Sequence, residues 1–498
     1  MKTFWELTRK QYENEGEHPK YLVRDAVGNT YLAKTRREII EKAVQVARWL
    51  KNDRVKHVGV YLDSSTDWIS AYLGIVISGN VAVLLDRRLP QETIVSYVKR
   101  ADVTCVVYDT MQETLTCALC EQGCQVVSLA QAVQDQSTED ILGYEGAAQS
   151  DALCTMVFTS GTTGQAKCVM LSQANIVSNI VDTISICDYT ADQSFLSVLP
   201  VAHAFGMTQC TLAPFFNGGD MLIATSHLDL LKNMQRYQPT FTVLIPMMLE
   251  FLYQRLRGMQ KRFPQLSKRE AAEKLFGHNL RYIGVGGAAS NADTVRAMLD
   301  YGITVRPGYG MTENAPMATV NLLQNPAQAA SIGEPMQHTQ IKLVDGEIWI
   351  HSPSVMLGYY KDADATAEML SDRWLKTGDL GRFDEKGALY LTGRKKNLIV
   401  LSSGENISPE YIEQLLRESE SVREVCVSEK NDHILAEIYP TDAVLEKDAA
   451  GREAAVLEAV NQTNQRLPFY SRVMDITVRT KEFPKNIYGK IVRACGLF

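Results

Sequence analysis

Short apolar runs alternate with amphipathic stretches along the first third of the chain. HVGVYLD (57–63) is apolar; a helical stretch follows, then VAVLL (81–85), the amphipathic QETIVSYVKRA, TCVVYD, a further helical stretch and QVVSL. Buried strands separated by helical patterns of about 10–15 residues predict a parallel sheet covered on both faces. A second such series runs from FLSVLP (195–200) through MLIA, FTVLIP and RYIGVGG to ITVRPG. The prediction is therefore an α/β fold with a large N-terminal domain of two doubly wound subdomains. After residue 338 the period shortens. QIKLVDGEIWIHS and GALYLTG read as short strands with tight turns, a small β-barrel-like subdomain. The charged GRKKN (393–397) reads as a linker. Beyond it SPEYIEQLLRES is helical, and VREVCVS and HILAEIYP are strand-like. That remainder is long enough for a small α+β domain. The expected division is 1–393 and 394–498.

Composition adds exclusions. The chain has 498 residues, 45% hydrophobic and 22% charged, with a formal net charge of −7. That apolar fraction excludes a disordered chain, and a dispersed acidic balance excludes the basic face a nucleic-acid binder needs. The most apolar run, Trp68 to Leu85, is broken by Ser70, Ser78, Gly79 and Asn80. It reads as helix, turn and strand, with no transmembrane segment. The start, MKTFWELTRKQYENEG, is charged throughout and predicts no secretory leader. Cys117, Cys120 and Cys124 have the i, i+3, i+7 spacing of one helix face, and no fourth ligand stands near them. A buried apolar face is expected, not a metal site. The other cysteines are scattered, as for reduced thiols in a cytoplasm.

The strongest local signal is FTSGTTGQAKCVMLS (158–172). Glycines let the backbone turn sharply, successive N–H groups and hydroxyls form an anion nest, and Lys167 adds a point charge. This is a polyphosphate cradle, though no Gly-Lys-Ser/Thr closes it as in a Walker A loop.

The segment resembles the phosphate loop of the ANL superfamily of adenylate-forming enzymes, which holds acyl-CoA synthetases, peptide-synthetase adenylation domains and luciferases. Four further motifs follow in the family's order: GYGMTE (308–313), KTGDL (376–380), GRKKNLIVLSSGENISPEYIE (393–413) and FPKNIYGKIVR (483–493). The resemblance implies an acid–thiol ligase working through acyl-AMP, with ATP, Mg2+ and coenzyme A. It implies that Thr159, Ser160, Gly161, Thr162, Thr163, Gly164 and Lys167 hold the β- and γ-phosphates. Thr312 would donate to a phosphate, and Glu313 would ligate Mg2+. Tyr309 would stack on adenine opposite Gly287 and Ala288 of GGAAS (286–290). Asp379 would accept from the ribose hydroxyls, with Arg394 on the ribose or a phosphate. Lys490 would bridge acid and ATP as the catalytic lysine, and Lys396 would be the hinge, with SSGENI (402–407) facing the pantetheine.

LPVAHAFGM (199–207) lacks the aspartate with which amino-acid-activating relatives hold an ammonium. It resembles instead the gate of acyl- and aryl-CoA ligases, with His203 and Phe205 beside the substrate. The implied pocket is Phe205, Met207, Gly310, Met311, Pro316 and Met317. The hinge motif resembles the fatty-acyl branch, so a medium or long aliphatic acid is expected, with an aryl acid as competitor. Two positions depart from the family's loop: Ala166 stands where a proline is common and Cys168 where a glycine is. They could change loop rigidity, and Cys168 could make the site oxidisable. The thiol acceptor is free coenzyme A or the phosphopantetheine of an acyl carrier protein; an exposed apolar patch on the C-terminal domain would favour the latter. A non-catalytic acyl-nucleotide sensor and a luciferase-like oxygenase are the competing classes. The small-molecule partner is a carboxylic acid, and oligomeric state is left open.

Overall fold

The computed structural model describes residues 2–15, 22–27, 30–51, 56–134, 136–137, 139–147, 149–159, 166–187, 189–224, 227–401, 405–485, 491 and 493. The chain divides into two compact units, one of 1–290, 294–341 and 350–376, the other of 291–293, 342–349 and 377–498.

The first unit contains two large sheets. A seven-stranded sheet runs in the order Gly358–Tyr359, Lys167–Ser172, Leu153–Thr159, Val81–Leu84, His57–Tyr61, Cys105–Tyr108, Gln125–Ser128. From Leu153–Thr159 onward the strands are parallel. Lys167–Ser172 and Gly358–Tyr359 add antiparallel edges. Val81–Leu84 is buried at every position, as a strand covered on both faces must be. The apolar run before it forms the helix Thr66–Ile77, whose Ser65 cap accepts from the Trp68 N–H.

The second sheet has nine strands: Glu334–Pro335, Met317–Val320, Thr304–Gly310, Tyr282–Val285, Phe241–Leu244, Ser194–Ser197, Asp220–Ile223, Val23–Val27 and Thr30–Lys34. The six from Thr304–Gly310 to Val23–Val27 are parallel. The hairpin Val23–Val27/Thr30–Lys34 lies far from the sheet's other strands in sequence and precedes the alternating pattern, which starts at residue 57. Three rings, Tyr189, Phe195 and Phe241, pack with centroids 4.8–4.9 Å apart in this unit's core.

The expected cysteine face needs correction. The helix Glu113–Glu121 buries Leu115 and Leu119. Cys117 and Cys120 are exposed; Cys124, beyond the helix end, is buried. At about 100° per residue the two leucines define the inward stripe, and the thiols at 117 and 120 fall outside it.

In the second unit, residues 379–383 of strand Trp374–Phe383 pair antiparallel with Leu389–Arg394, with Asp379 opposite Arg394. The segment read as a linker is ordered: Arg394 ends a strand and Lys395–Asn397 forms a 3₁₀ turn. A three-stranded sheet follows, Val422–Lys430, His433–Pro440 and Val473–Val478, the first pair antiparallel and the second parallel. Helices Pro409–Leu416 and Ala449–Asn464 supply Ile412, Leu416, Val456 and Val460 to its core, against Val425, Val427, Ala436 and Ile438.

Candidate active site

The loop 160–166 is closed by the Leu153–Thr159/Lys167–Ser172 ladder, whose last pair is Thr159 and Lys167. Ser160, Gly161, Thr162, Thr163 and Gly164 lie outside the described residues. Lys167 is placed with care: its Nζ lies 4.7 Å from the ring centroid of Tyr359, a cation–π contact. Tyr359 is held opposite Val169 by the edge strand, and its hydroxyl donates to Glu313 Oε1 at 2.7 Å. Glu313 is 8% exposed. Burial, and then the Glu313 carboxylate, push the Tyr359 hydroxyl far above the ordinary tyrosine range, so it stays a donor. Fold contacts thus bring together Lys167 and Glu313, distant in sequence, through a tyrosine that sequence reading missed. The only local signal, GYY (358–360), looks like ordinary core. The oxidation expectation for Cys168 is corrected. Its side chain is buried, and burial raises its thiol to about 12, leaving no reactive thiolate.

Residues 308–317 form a turn built on strand Thr304–Gly310, whose ladder with Met317–Val320 bulges between Tyr309 and Gly310. A Cβ at Gly310 would stand 2.0 Å from the Pro316 carbonyl oxygen, so only glycine fits there. The Met311 N–H donates to that same oxygen at 3.0 Å. Thr312 and Glu313 occupy the short 3₁₀ turn Thr312–Asn314.

Asn179, on helix Gln173–Ile186, holds this turn from below. Its Nδ2 donates to the carbonyls of Met317 (2.8 Å) and Asn314 (3.2 Å), while its Oδ1 accepts from Gln209 Nε2 (2.9 Å) and the Met317 N–H (3.2 Å). Asn179 is 2% exposed. Asn179→Leu keeps the volume and takes this partner from the Asn314 carbonyl, the Met317 N–H and the Gln209 amide, while the Met317 carbonyl keeps Asn314 Nδ2 at 2.9 Å. We expect a loss of about 3–5 kcal/mol in unfolding free energy, read in a urea melt; an unchanged midpoint would show the network to be dispensable.

Tyr309 and the segment Gly286–Gly287 leave the carboxyl ends of neighbouring parallel strands, since Val285 pairs with Pro307. That is where open α/β sheets bind ligands. Gly287 (φ +84°) and Ala288 are exposed there, and a Cβ on Gly287 would meet nothing nearer than Ile245 at 4.0 Å. Gly286 does the opposite: its missing side chain lets Phe205 Cζ approach to 2.9 Å of where a Cβ would be. Phe205 introduces a π-helical turn, Gly206–Leu212, a distortion common at functional sites.

His203 is gripped rather than loose. Its Nε2 lies 2.9 Å from Arg88 Nη2 and 3.2 Å from Asp86 Oδ2. Burial works to raise the Asp86 carboxyl, but hydrogen bonds from Arg88 and His203 overcome it and hold the group well below the usual carboxylate range. Asp86 and Arg88 were missed in sequence, although a DRR run directly after a buried parallel strand is a signal.

A cavity opens beside Phe205, with Met317, Tyr189, Gln209, Gly308 and Arg306 among its walls. Two of the expected pocket residues, Phe205 and Met317, line it. Met207, Gly310, Met311 and Pro316 do not; Met207 is wholly buried. The space open to the centres of water molecules is about 20 Å³, room for one water. Met317 brings a flexible thioether to the cavity's walls.

In the second unit, Asp379 is 7% exposed and accepts from Arg394 Nε at 2.9 Å. Partial burial, then the Arg394 charge, lower the Lys396 ammonium, while Asp379 and Glu410 work the other way. Lys490, with Ser402, Ser403 and Gly404 of the hinge motif, lies outside the described residues. Both flanks of Lys490 are anchored. Phe483 N–H and Lys485 Nζ bond Glu424, and Lys485 bridges to Ile491. Arg493 donates twice to the buried Glu413, at 2.6 Å each, and once to the Val427 carbonyl at 3.1 Å.

The AMP-binding enzyme family profile matches residues 10–360, and that of the AMP-binding enzyme C-terminal domain matches 396–495. The 2-succinylbenzoate–CoA ligase of Bacillus cereus is 27% identical over 471 residues, covering 92% of this chain and 91% of the relative. The indoleacetate–CoA ligase of Aromatoleum aromaticum is 30% identical over 349 residues, covering 67% and 64%. Bacillus subtilis O-succinylbenzoate coenzyme A synthetase, solved with ATP and magnesium, shares the fold at a TM-score of 0.77 and 22% identity, covering 98% of each chain.

Proposed function

This chain belongs to the AMP-binding enzyme family, and from that premise we propose that the acid it activates is an aryl or arylalkyl carboxylic acid. It is an AMP-forming acid–CoA ligase, using ATP, Mg2+ and coenzyme A. The observation that carries the substrate reading is the cavity at Phe205, with aromatic walls at Phe205, Tyr189 and Phe241; such walls favour a flat ring. The names of relatives aligned along most of the chain support it. The aliphatic acid expected from the hinge motif has no such support.

The reaction has two steps. The acid's carboxylate attacks the α-phosphorus and pyrophosphate leaves; the thiol then attacks the acyl carbon and AMP leaves. In our reading Thr159, Lys167 and the residues of the loop between them carry the phosphates. The Tyr359 ring keeps Lys167 from swinging away. Glu313 offers the hard oxygen donor that Mg2+ prefers, oriented by the Tyr359 hydroxyl. When bound, Mg2+ supplies positive charge against the phosphate oxygens. Tyr309 and the Gly287–Ala288 backbone take the adenine, and Asp379 the ribose hydroxyls. His203, aligned by Asp86 and Arg88, lies next to the acid. Lys490 offsets charge on the α-phosphate during the first step, and Lys396 is the hinge between 1–393 and 394–498.

The test is pyrophosphate release over a panel of aryl, arylalkyl, aliphatic and amino acids, with and without coenzyme A. We expect aryl or arylalkyl acids to give the highest kcat/KM, by at least about tenfold, one pocket contact's worth of discrimination. An aliphatic acid on top would overturn the substrate reading, and no release with any acid would favour a nucleotide sensor. A second acceptor has one observation in its favour: Phe469 and Met474 are 81% and 62% exposed on the C-terminal unit, the apolar feature a carrier protein would use. Running the second step with coenzyme A and with a phosphopantetheinylated carrier protein separates the two.

A further inference from the structure

Arg306 is a charge in a place built for apolar side chains. It sits on the parallel strand Thr304–Gly310, two residues before Gly308, and lines the cavity at Phe205. Its Nη1 donates to the Cys187 carbonyl at 2.8 Å, and its guanidinium carbon lies 4.1 Å from the Tyr282 ring centroid. Its Nε is buried and without a hydrogen-bond partner. Among the described residues no carboxylate lies within ion-pair distance of it. The neighbouring groups in the cavity wall are neutral: the Gln209 amide, the Tyr189 hydroxyl and the Cys187 thiol, which burial pushes up to about 11. A guanidinium has five donors in a planar fork shaped for a carboxylate. One turned into a substrate cavity with a donor unspent is a receptor in need of an acceptor.

We propose that Arg306 binds a second carboxylate on the acid, distal to the one that is adenylated, so that the substrate is a dicarboxylic acid. This rests on the Phe205 cavity holding the acyl group, as read above. Gly308 and Arg306 point to the same face of their strand, about 7 Å apart along it. The distal carboxylate therefore lies one strand repeat deeper than the part of the acid beside Gly308. The aromatic walls and Met317 contact what connects the two carboxylates, and Arg306 selects the far end.

The experiment uses matched pairs of acids: an arylalkyl dicarboxylic acid against the same acid with its distal group as a carboxamide, and an aliphatic α,ω-dicarboxylic acid against the monocarboxylic acid of equal length. Pyrophosphate release is measured for the native chain, Arg306→Met and Arg306→Lys. The native enzyme is expected to prefer the dicarboxylic member of a pair by about 10–100-fold in kcat/KM, the range of a charged hydrogen-bond pair. Arg306→Met should erase that preference through the dicarboxylic member alone, and Arg306→Lys should restore part of it. Equal loss on both members would mean that Arg306 only braces Cys187, and a native preference for the neutral member would also overturn the proposal. If the aliphatic pair shows the Arg306-dependent preference and the aryl pair is inactive, the distal-carboxylate site stands and the aryl reading falls.

Discussion

Lys490→Ala is expected to slow acyl-adenylate formation by about 10²–10³-fold, the usual loss on removing a group that stabilises transition-state charge. Conversion of a supplied acyl-adenylate to the thioester should stay within a few-fold of the native rate. The asymmetry follows from charge. Negative charge gathers on the α-phosphate only while pyrophosphate is leaving; the second step breaks an acyl–phosphate bond whose leaving group is already a stable anion. Isotope exchange between pyrophosphate and ATP reads the first step, and thioester formation from synthetic acyl-adenylate reads the second. Comparable loss in both would assign Lys490 to binding or folding rather than to adenylation.

The second large effect concerns what anchors that lysine's flank. Glu413 is 3% exposed and takes two hydrogen bonds from Arg493, one from Arg417 at 3.2 Å and one from the Val427 N–H at 2.8 Å. Arg493→Met would leave a buried carboxylate without its main counter-charge. Breaking one side of such a pair costs about 3–5 kcal/mol, and here the cost falls on the C-terminal unit. A lower-temperature transition should separate in calorimetry, and adenylation should fall together with it. Glu413→Leu combined with Arg493→Met removes both charges and is expected to recover much of the stability. A double variant as unstable as the single one would mean that Arg493 acts through its Val427 contact and packing, not through the pair.

The α/β alternation was legible because strands covered on both faces must be largely apolar, as VAVLL (81–85), CVVY (105–108) and FTVL (241–244), with its single threonine, are. The ordered motifs were legible because close backbone approach and polar donors leave a mark in composition. Partnerships were not. Asn179 reads as one more polar residue on an amphipathic helix, and its five side-chain bonds to residues up to 175 positions away exist only after folding. Tyr359 reads as core, and its pairing with Glu313 depends on an edge strand of two residues. Arg306, like Asp86 and Arg88, was missed despite a plain mark, a charge in the middle of a strand that otherwise carries none. The cysteine face failed for a simpler reason: three thiols at helical spacing define a stripe, but two leucines in the same helix define a more hydrophobic one.

The hairpin Val23–Val27/Thr30–Lys34 carries a cost that appears only in time. Its parallel partner is Asp220–Ile223, and the Leu22 N–H bonds Asp220 Oδ1 across 198 residues. On a ribosome adding about 5–20 residues each second, the strand is made roughly 10–40 s before its neighbour exists. Through that interval its ladder edge is open to any other nascent strand, the hazard of late long-range pairing. One edge of the nine-stranded sheet is thus written first and completed late, and the cell must keep it solitary until the rest of the lobe arrives.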